Sequence, residues 1–125
     1  MVSNYPSEKE GYKLSARQFI MYPDLNAFGR LFGGRLLSWM DEALAMYAVD
    51  VTGTANLVTR HMSEVDFRAP GQLGDILEIW AKPIKKGNTS LQLEAQAWVR
   101  RDHSGVQESE QICSCKMVFV VLDDQ

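Results

Sequence analysis

Little in this 125-residue chain could hold a metal or a crosslink: it has two cysteines and two histidines. Cys113 and Cys115 stand two apart in a strand-like segment, so both point to one face and a disulfide between them is geometrically unfavourable. With His61 and His103 scattered elsewhere, no metal-ligand spacing is present, and the thiols read as small buried hydrophobes. Positive charge is not in excess either. The net charge of −3 argues against a nucleic-acid partner. Long apolar runs are also missing. Residues 1–11 are polar, no secretory leader pattern or membrane span is visible, and a cytoplasmic address follows as the expectation. No repeat, linker or low-complexity tract interrupts the chain. Its 46% hydrophobic and 23% charged residues suit an ordinary globular protein. The length fits one domain over 1–125 with a modest core, residues 1–11 and 123–125 being expected as flexible tails.

The most informative stretch runs from Asn26 to Glu42 and on to Thr52. Leu36, Met40, Leu44, Tyr47 and Val51 recur every three or four residues, which predicts a helix from about Gly34 to Asp50, stopping near Thr52-Gly53. Leu37, Ala43 and Ala48 widen the apolar stripe, so little of this helix is left for water. Asp41 nevertheless sits in its middle, on a face shared with Gly34, Leu37, Ser38, Ala45 and Ala48. A carboxylate on a small-residue face has room beside it for a ligand. Glu42 points about a hundred degrees away and reads as a structural or interfacial charge. Gly33 and Gly34 start the helix without side chains, where a ligand oxygen can approach free backbone N–H groups and the positive end of the dipole. On the glycines alone, a tight corner and a solvated Asp41 are the plainer reading.

Around the helix the pattern is that of strands. Tyr12–Tyr22 alternates until Pro23-Asp24; Asn56–Arg68 follows the helix, with Leu57, Thr59, His61, Ser63, Val65 and Phe67 expected on one face. Asp75–Lys86 is a third strand in which Pro83 demands an edge or a bulge. Ser90–Arg101 carries Leu91, Leu93, Ala95, Ala97 and Val99 on one face, and Gln107–Leu122 is last. Turns at Lys86-Gly-Asn-Thr89 and Asp102-His-Ser-Gly105 make these neighbours antiparallel. The expected class is α+β: one long helix wrapped by a curved antiparallel sheet of about five strands, whose open edge calls for a second copy.

Asn26, Gly29, Phe32, Gly33, Gly34, Met40 and Asp41 together resemble the hot-dog-fold acyl-CoA thioesterases, in particular their YciA-like and brain acyl-CoA hydrolase branch. The likeness continues at Val58-Thr59, at Val65-Asp66-Phe67 with Pro70, at Gly74-Asp75 and at Gly87 to Ser90, covering the chain from about Leu14 to Val121. It implies the hot-dog fold, hydrolysis of acyl-CoA to acid and coenzyme A, a place in lipid metabolism, and no cofactor beyond the coenzyme A of the substrate. It implies a homodimer at minimum and a hexamer or tetramer built from dimers, with no nucleic acid or membrane as partner.

Residue by residue, the resemblance makes Asp41 the general base or the nucleophile, and the residues leave both open. Asn26 would orient the water or the thioester, opposite the aspartate of a neighbouring subunit; left to itself it reads as a loop or cap residue. Gly34, with Gly33, would offer backbone N–H groups to the thioester oxygen. Candidates for the coenzyme A phosphates are Arg60, Arg68, Lys85, Lys86 and the turn Gly87, Asn88, Thr89 and Ser90. Asn88 stands where the family often has arginine, and Arg30 where it commonly has aspartate. Glu42-Ala-Leu44 is bulkier than in the relatives and would narrow the acyl end. Two other readings stand beside hydrolysis. A non-catalytic acyl-CoA-binding or sensing module would not need Asp41. An enoyl-thioester hydratase or dehydratase would need a histidine motif that His61 does not supply, and His103 is expected in an exposed hairpin. Activity is therefore expected to survive exhaustive chelation; loss with EDTA and recovery with zinc or magnesium would overturn the metal-free reading.

Overall fold

The computed structural model describes residues 4–103 and 105–122, with the backbone alone at His103. Strand β1 (Lys13–Phe19) precedes helix α1 (Gly33–Thr52), and four strands follow: β2 (Leu57–Phe67), β3 (Ile76–Lys86), β4 (Ser90–His103) and β5 (Val106–Val121). They form one antiparallel sheet in the order β1-β3-β4-β5-β2, so β1 and β2 are its edges. The helix packs against all five strands. No helix among the described residues is long and apolar enough to cross a membrane.

The core follows from the periodicities. Leu36, Met40, Ala43, Leu44 and Ala48 of α1 are buried against Leu77, Ile79, Leu93, Ala95, Ile112 and Met117. Each fully buried large aliphatic side chain contributes roughly 1.5–3 kcal/mol. The helix is two residues longer at its C-terminus than expected and ends at Gly53, whose φ of 77° takes the left-handed turn that closes its last carbonyls. Its outer side is more open than the composition suggested. Tyr47 is half-buried, while Met46 and Val51 are exposed, because one sheet covers only one side of a helix.

Three segments differ from expectation. Polar residues 1–11 were expected to fray, yet from Tyr5 onward the segment is tied to the outer face of the sheet. The Tyr5 ring meets Trp80 and Trp98 edge-on at 5.6 and 5.2 Å, and its hydroxyl donates to Glu78. Tyr12 donates likewise to Glu94. Burial, then the neighbouring carboxylates, push both hydroxyls up to about 12, so they stay protonated donors. Residues 1–3 and 123–125 lie outside the described residues. Strand β2 is the second difference. Bulges between Thr59 and His61 and between Ser63 and Asp66 break its alternation, and Glu64 takes a φ of 51°. The single face expected for Leu57 to Phe67 is thus interrupted twice. Third, His103 is the last residue of β4 rather than part of the turn, pairing with Val106; its side chain lies outside the described residues. Pro83 sits at a bulge, beyond the last residue of β3 that pairs with β1, which satisfies both conditions that its missing N–H imposes.

Cys113 and Cys115 face the core together, unpaired. Burial pushes their thiols up to about 11 and about 12. The loop before β3 is held by a buried ion pair. Arg101 reaches Asp75 at 3.0 Å, Glu110 at 2.7 Å and the Pro70 carbonyl at 3.1 Å. Asp75 also accepts the Gln72 N–H at 2.9 Å. Removing one partner of such a pair leaves the other charge buried. Arg101→Met is therefore expected to lower the free energy of unfolding in urea by about 3 kcal/mol; a loss under about 1 kcal/mol would show that the pair adds little.

Candidate functional site

Asp41 lies in the third turn of α1, half-buried, on the side that faces edge strand β2. There the Thr59 hydroxyl donates to Asp41 Oδ1 at 2.6 Å. A short hydrogen bond to one carboxylate oxygen fixes the plane of the group and leaves the other oxygen free for chemistry. Glu42, next in the helix, is exposed.

The helix entrance is built by the loop before it. Asn26 shapes that loop: its Oδ1 accepts the N–H groups of Phe28 at 2.8 Å and Arg30 at 3.2 Å, and its own N–H donates to the Arg30 carbonyl at 2.7 Å. The loop role open to Asn26 in the sequence is thus what its oxygen performs, while the Nδ2 donor has no partner among the described residues. Buried Asp24 locks the loop to the helix, accepting from the Met21 N–H at 2.9 Å and from Arg35 Nε at 3.1 Å. Arg35 also lies over the Trp39 ring at 5.3 Å. Phe32 is the N-cap and supplies no side-chain cap, so the first N–H groups of the helix stay open. The glycine pair has a packing reason as well. A Cβ on Gly34 would stand 2.8 Å from the Phe32 ring, and one on Gly33 would stand 3.4 Å from the Phe67 ring.

Beside this entrance is a cavity of about 410 Å³ lined by Asn26, Arg30, Gly33, Leu36, Phe67 and Arg68, among others. Asp41 is not among its lining residues. Eight residues of helix separate it from Gly33, about 12 Å of rise. The turn Gly87–Ser90 lies elsewhere, with Lys86, Thr52 and Thr54 around a cavity of about 300 Å³ at the C-terminal end of the helix. It is closed by the Gly87 N–H donating to the Ser90 carbonyl at 2.8 Å. Twenty helical residues, about 30 Å, lie between the two ends. Lys85 and Arg60 are exposed on β3 and β2. Arg68 is partly occupied, holding Asp66 at 3.0 Å and Gln111 at 3.1 Å. Within one chain the structure thus brings together Asn26, Gly33 and Arg68, and separately Lys86 with residues 87–90, while Asp41 stands between the two groups. His61 is exposed on β2. Among the described residues no three His, Cys, Asp or Glu side chains gather to hold a metal.

Three contributors went unassigned by residue reasoning. Thr59 entered as a strand-face residue and in the resemblance, Asp24 only as a strand breaker, and Arg35 without any role. No residue pattern singles out Thr59, because Ser63 carries a second hydroxyl in the same strand. The Asp24–Arg35 pair spans eleven residues across an irregular loop, where no period points from one to the other.

The arrangement can be set against known proteins. Residues 28–106, well over half of the chain, match the thioesterase superfamily. The chain is 34% identical over 108 residues, covering 86% of itself and 70% of the relative, to a Zymomonas mobilis protein named as an uncharacterised acyl-CoA thioester hydrolase. It is 33% identical over 89 residues to the acyl-CoA thioester hydrolase YciA of Salmonella typhimurium, with 71% of this chain and 66% of that one covered. Among solved structures, a hexameric hotdog-fold thioesterase of Campylobacter jejuni aligns with a TM-score of 0.81 at 29% identity, over 88% of this chain and 83% of the other. Sequence match and architecture agree: the chain belongs to the thioesterase superfamily and has the hot-dog fold.

Proposed function

We propose that this protein hydrolyses acyl-CoA thioesters, releasing a free carboxylic acid and coenzyme A, at sites shared between two subunits. The observation that carries the reading is Asp41: a half-buried helical carboxylate, oriented by Thr59 at 2.6 Å, with no cation paired to it among the described residues. A binding module has no use for such a group. The names of the relatives from Zymomonas mobilis and Salmonella typhimurium support the same substrate class.

The mechanism follows from the residues. The thioester carbonyl oxygen sits at the start of α1, where the Gly34 N–H, with Gly33 beside it, stabilises the negative charge of the tetrahedral intermediate. Asn26 Nδ2 donates to the thioester or to the attacking water. Asp41 either removes a proton from that water or attacks the carbonyl carbon itself. In the first route, collapse of the intermediate gives the free acid and expels the coenzyme A thiolate, which takes back the proton held by Asp41. In the second, the thiolate leaves the acyl group on Asp41 as a mixed anhydride, which water hydrolyses to the acid, supplying the proton for the thiolate. Arg60, Arg68, Lys85, Lys86 and the turn of Gly87, Asn88, Thr89 and Ser90 serve the phosphates. No metal or organic cofactor takes part.

A shared site explains why the groups stand apart in one chain. Edge strand β2 exposes Val58, Val65 and Phe67 and has an unpaired side, which a second β2 would cover. That pairing sets two helices side by side, with the Asn26 loop of one subunit facing the Asp41 of the other. The hexameric Campylobacter jejuni relative supports a trimer of such dimers. The setting is the cytoplasm.

Asp41→Asn is expected to lower kcat by about a hundredfold or more while acyl-CoA still binds. Thr59→Val, which removes only the orienting hydrogen bond, is expected to cost roughly tenfold. Wild-type turnover by Asp41→Asn, in steady-state assays of thiol release, would end the catalytic assignment. Shared sites are tested by mixing chains. Asn26→Ala and Asp41→Ala homodimers are each expected to be nearly inactive. Heterodimers of the two recover activity, because one site then collects both lesions and the other neither. Verified heterodimers without recovered activity would rule out sharing and leave Asp41 in place.

A further inference from the structure

We infer that Arg30 makes this a thioesterase for acyl groups that carry a carboxylate at their far end, an inference that rests on the thioesterase reading above. The cavity beside Asn26 is lined by two kinds of side chain. Leu31, Leu36, Phe67 and Ile112 give it an apolar lining, fit for methylene groups. Its charged residues are both cations, Arg30 and Arg68, and no carboxylate lines it among the described residues. The two arginines are not equivalent. Arg68 is held by Asp66 and Gln111. Arg30 is exposed, and its guanidinium has no hydrogen-bond or ion-pair partner among the described residues.

Its backbone, by contrast, is fixed. The Arg30 N–H donates to Asn26 Oδ1 and its carbonyl accepts from the Asn26 N–H, so the loop that presents the carbonyl-binding end also presents this cation. A guanidinium anchored at its stem and free at its tip is suited to take a carboxylate by paired N–H donors. Phosphate is the other anion available in the substrate, and Arg68 in the same cavity is placed with it. Arg30 differs in having no partner to give up, and the two anions are separated by the pantetheine substrates below. A short methylene chain ending in a carboxylate uses both the apolar lining and this cation. The volume of about 410 Å³ holds a chain of about six carbons with room for the adjoining thioester.

The test compares two acyl groups of equal length, hexanoyl and adipoyl, which differ only in ending in methyl or carboxylate. With the coenzyme A thioesters, the adipoyl-to-hexanoyl ratio of kcat/KM is expected to fall about tenfold in Arg30→Gln, the loss typical of one charge-assisted contact. Arg30→Lys is expected to keep part of the ratio, and Arg30→Glu to depress it further. The same fall is expected with pantetheine thioesters, which lack the nucleotide phosphates. An unchanged ratio, or an equal loss on both substrates, overturns the inference. So does an effect that disappears once the nucleotide is removed, since Arg30 would then be a phosphate contact. If neither thioester is hydrolysed by the wild type, the thioesterase reading itself fails. The role of Arg30 is then still read by calorimetry with the inert thioethers S-hexyl-CoA and S-(5-carboxypentyl)-CoA. Preference for the carboxylate analogue that Arg30→Gln abolishes supports it; equal binding refutes it.

Discussion

One helix has to cover the inner face of a five-stranded sheet, and this constraint governs the rest of the structure. Leu36, Met40, Leu44 and Ala48 meet that demand by lying on a single stripe against the middle strands. Seating the stripe fixes the rotation of α1 about its axis. The direction of every other helical side chain is then decided, including Asp41, which is turned to β2, and Glu42, which is turned to water. The hydrophobic core thus aims a carboxylate that takes no part in it.

A second effect is what the helix leaves uncovered. It packs against all five strands, yet the edge strands β1 and β2 keep exposed apolar side chains such as Phe19 and Phe67. Exposed apolar edges are a liability unless covered. On the β2 side the same edge carries Thr59, whose hydroxyl orients Asp41. The hydroxyl that orients Asp41 and the uncovered surface therefore lie on the same strand. The chain before β1 instead crosses the outer face of β3 and β4, where Tyr5 and Tyr12 bind Glu78 and Glu94.

How legible was this from the sequence? The helix and β4 could be read directly, because their periodicities are clean. Leu91, Leu93, Ala95, Ala97 and Val99 alternate in the sequence and are all buried. Strand β2 could be placed, within a residue at each end, but its single face could not, since two bulges shift the alternation. Tyr5 was equally opaque: its partner Glu78 is 73 positions away, and a single aromatic in a polar segment gives no period. For the site, Asp41 and the glycine pair stood out locally as a charge and two small residues where a helix wants neither. What escaped were the pairwise contacts, Thr59 with Asp41 and Asp24 with Arg35, which exist only once the helix has docked. Resemblance to a family supplied roles; it could not supply these distances.

The two buried thiols acquire a meaning once the reaction is considered. The proposed hydrolysis of an acyl-CoA would release a thiol at the protein surface with every turnover, and thiols in a cell exchange with disulfides. A protein cysteine joins that exchange only as an accessible thiolate. Cys113 and Cys115 are enclosed in the core, with their thiols pushed up to about 11 and about 12. At neutral pH that leaves a thiolate fraction of about one in ten thousand or less. Burial in the sheet thus keeps the chain's own sulfur out of such an exchange.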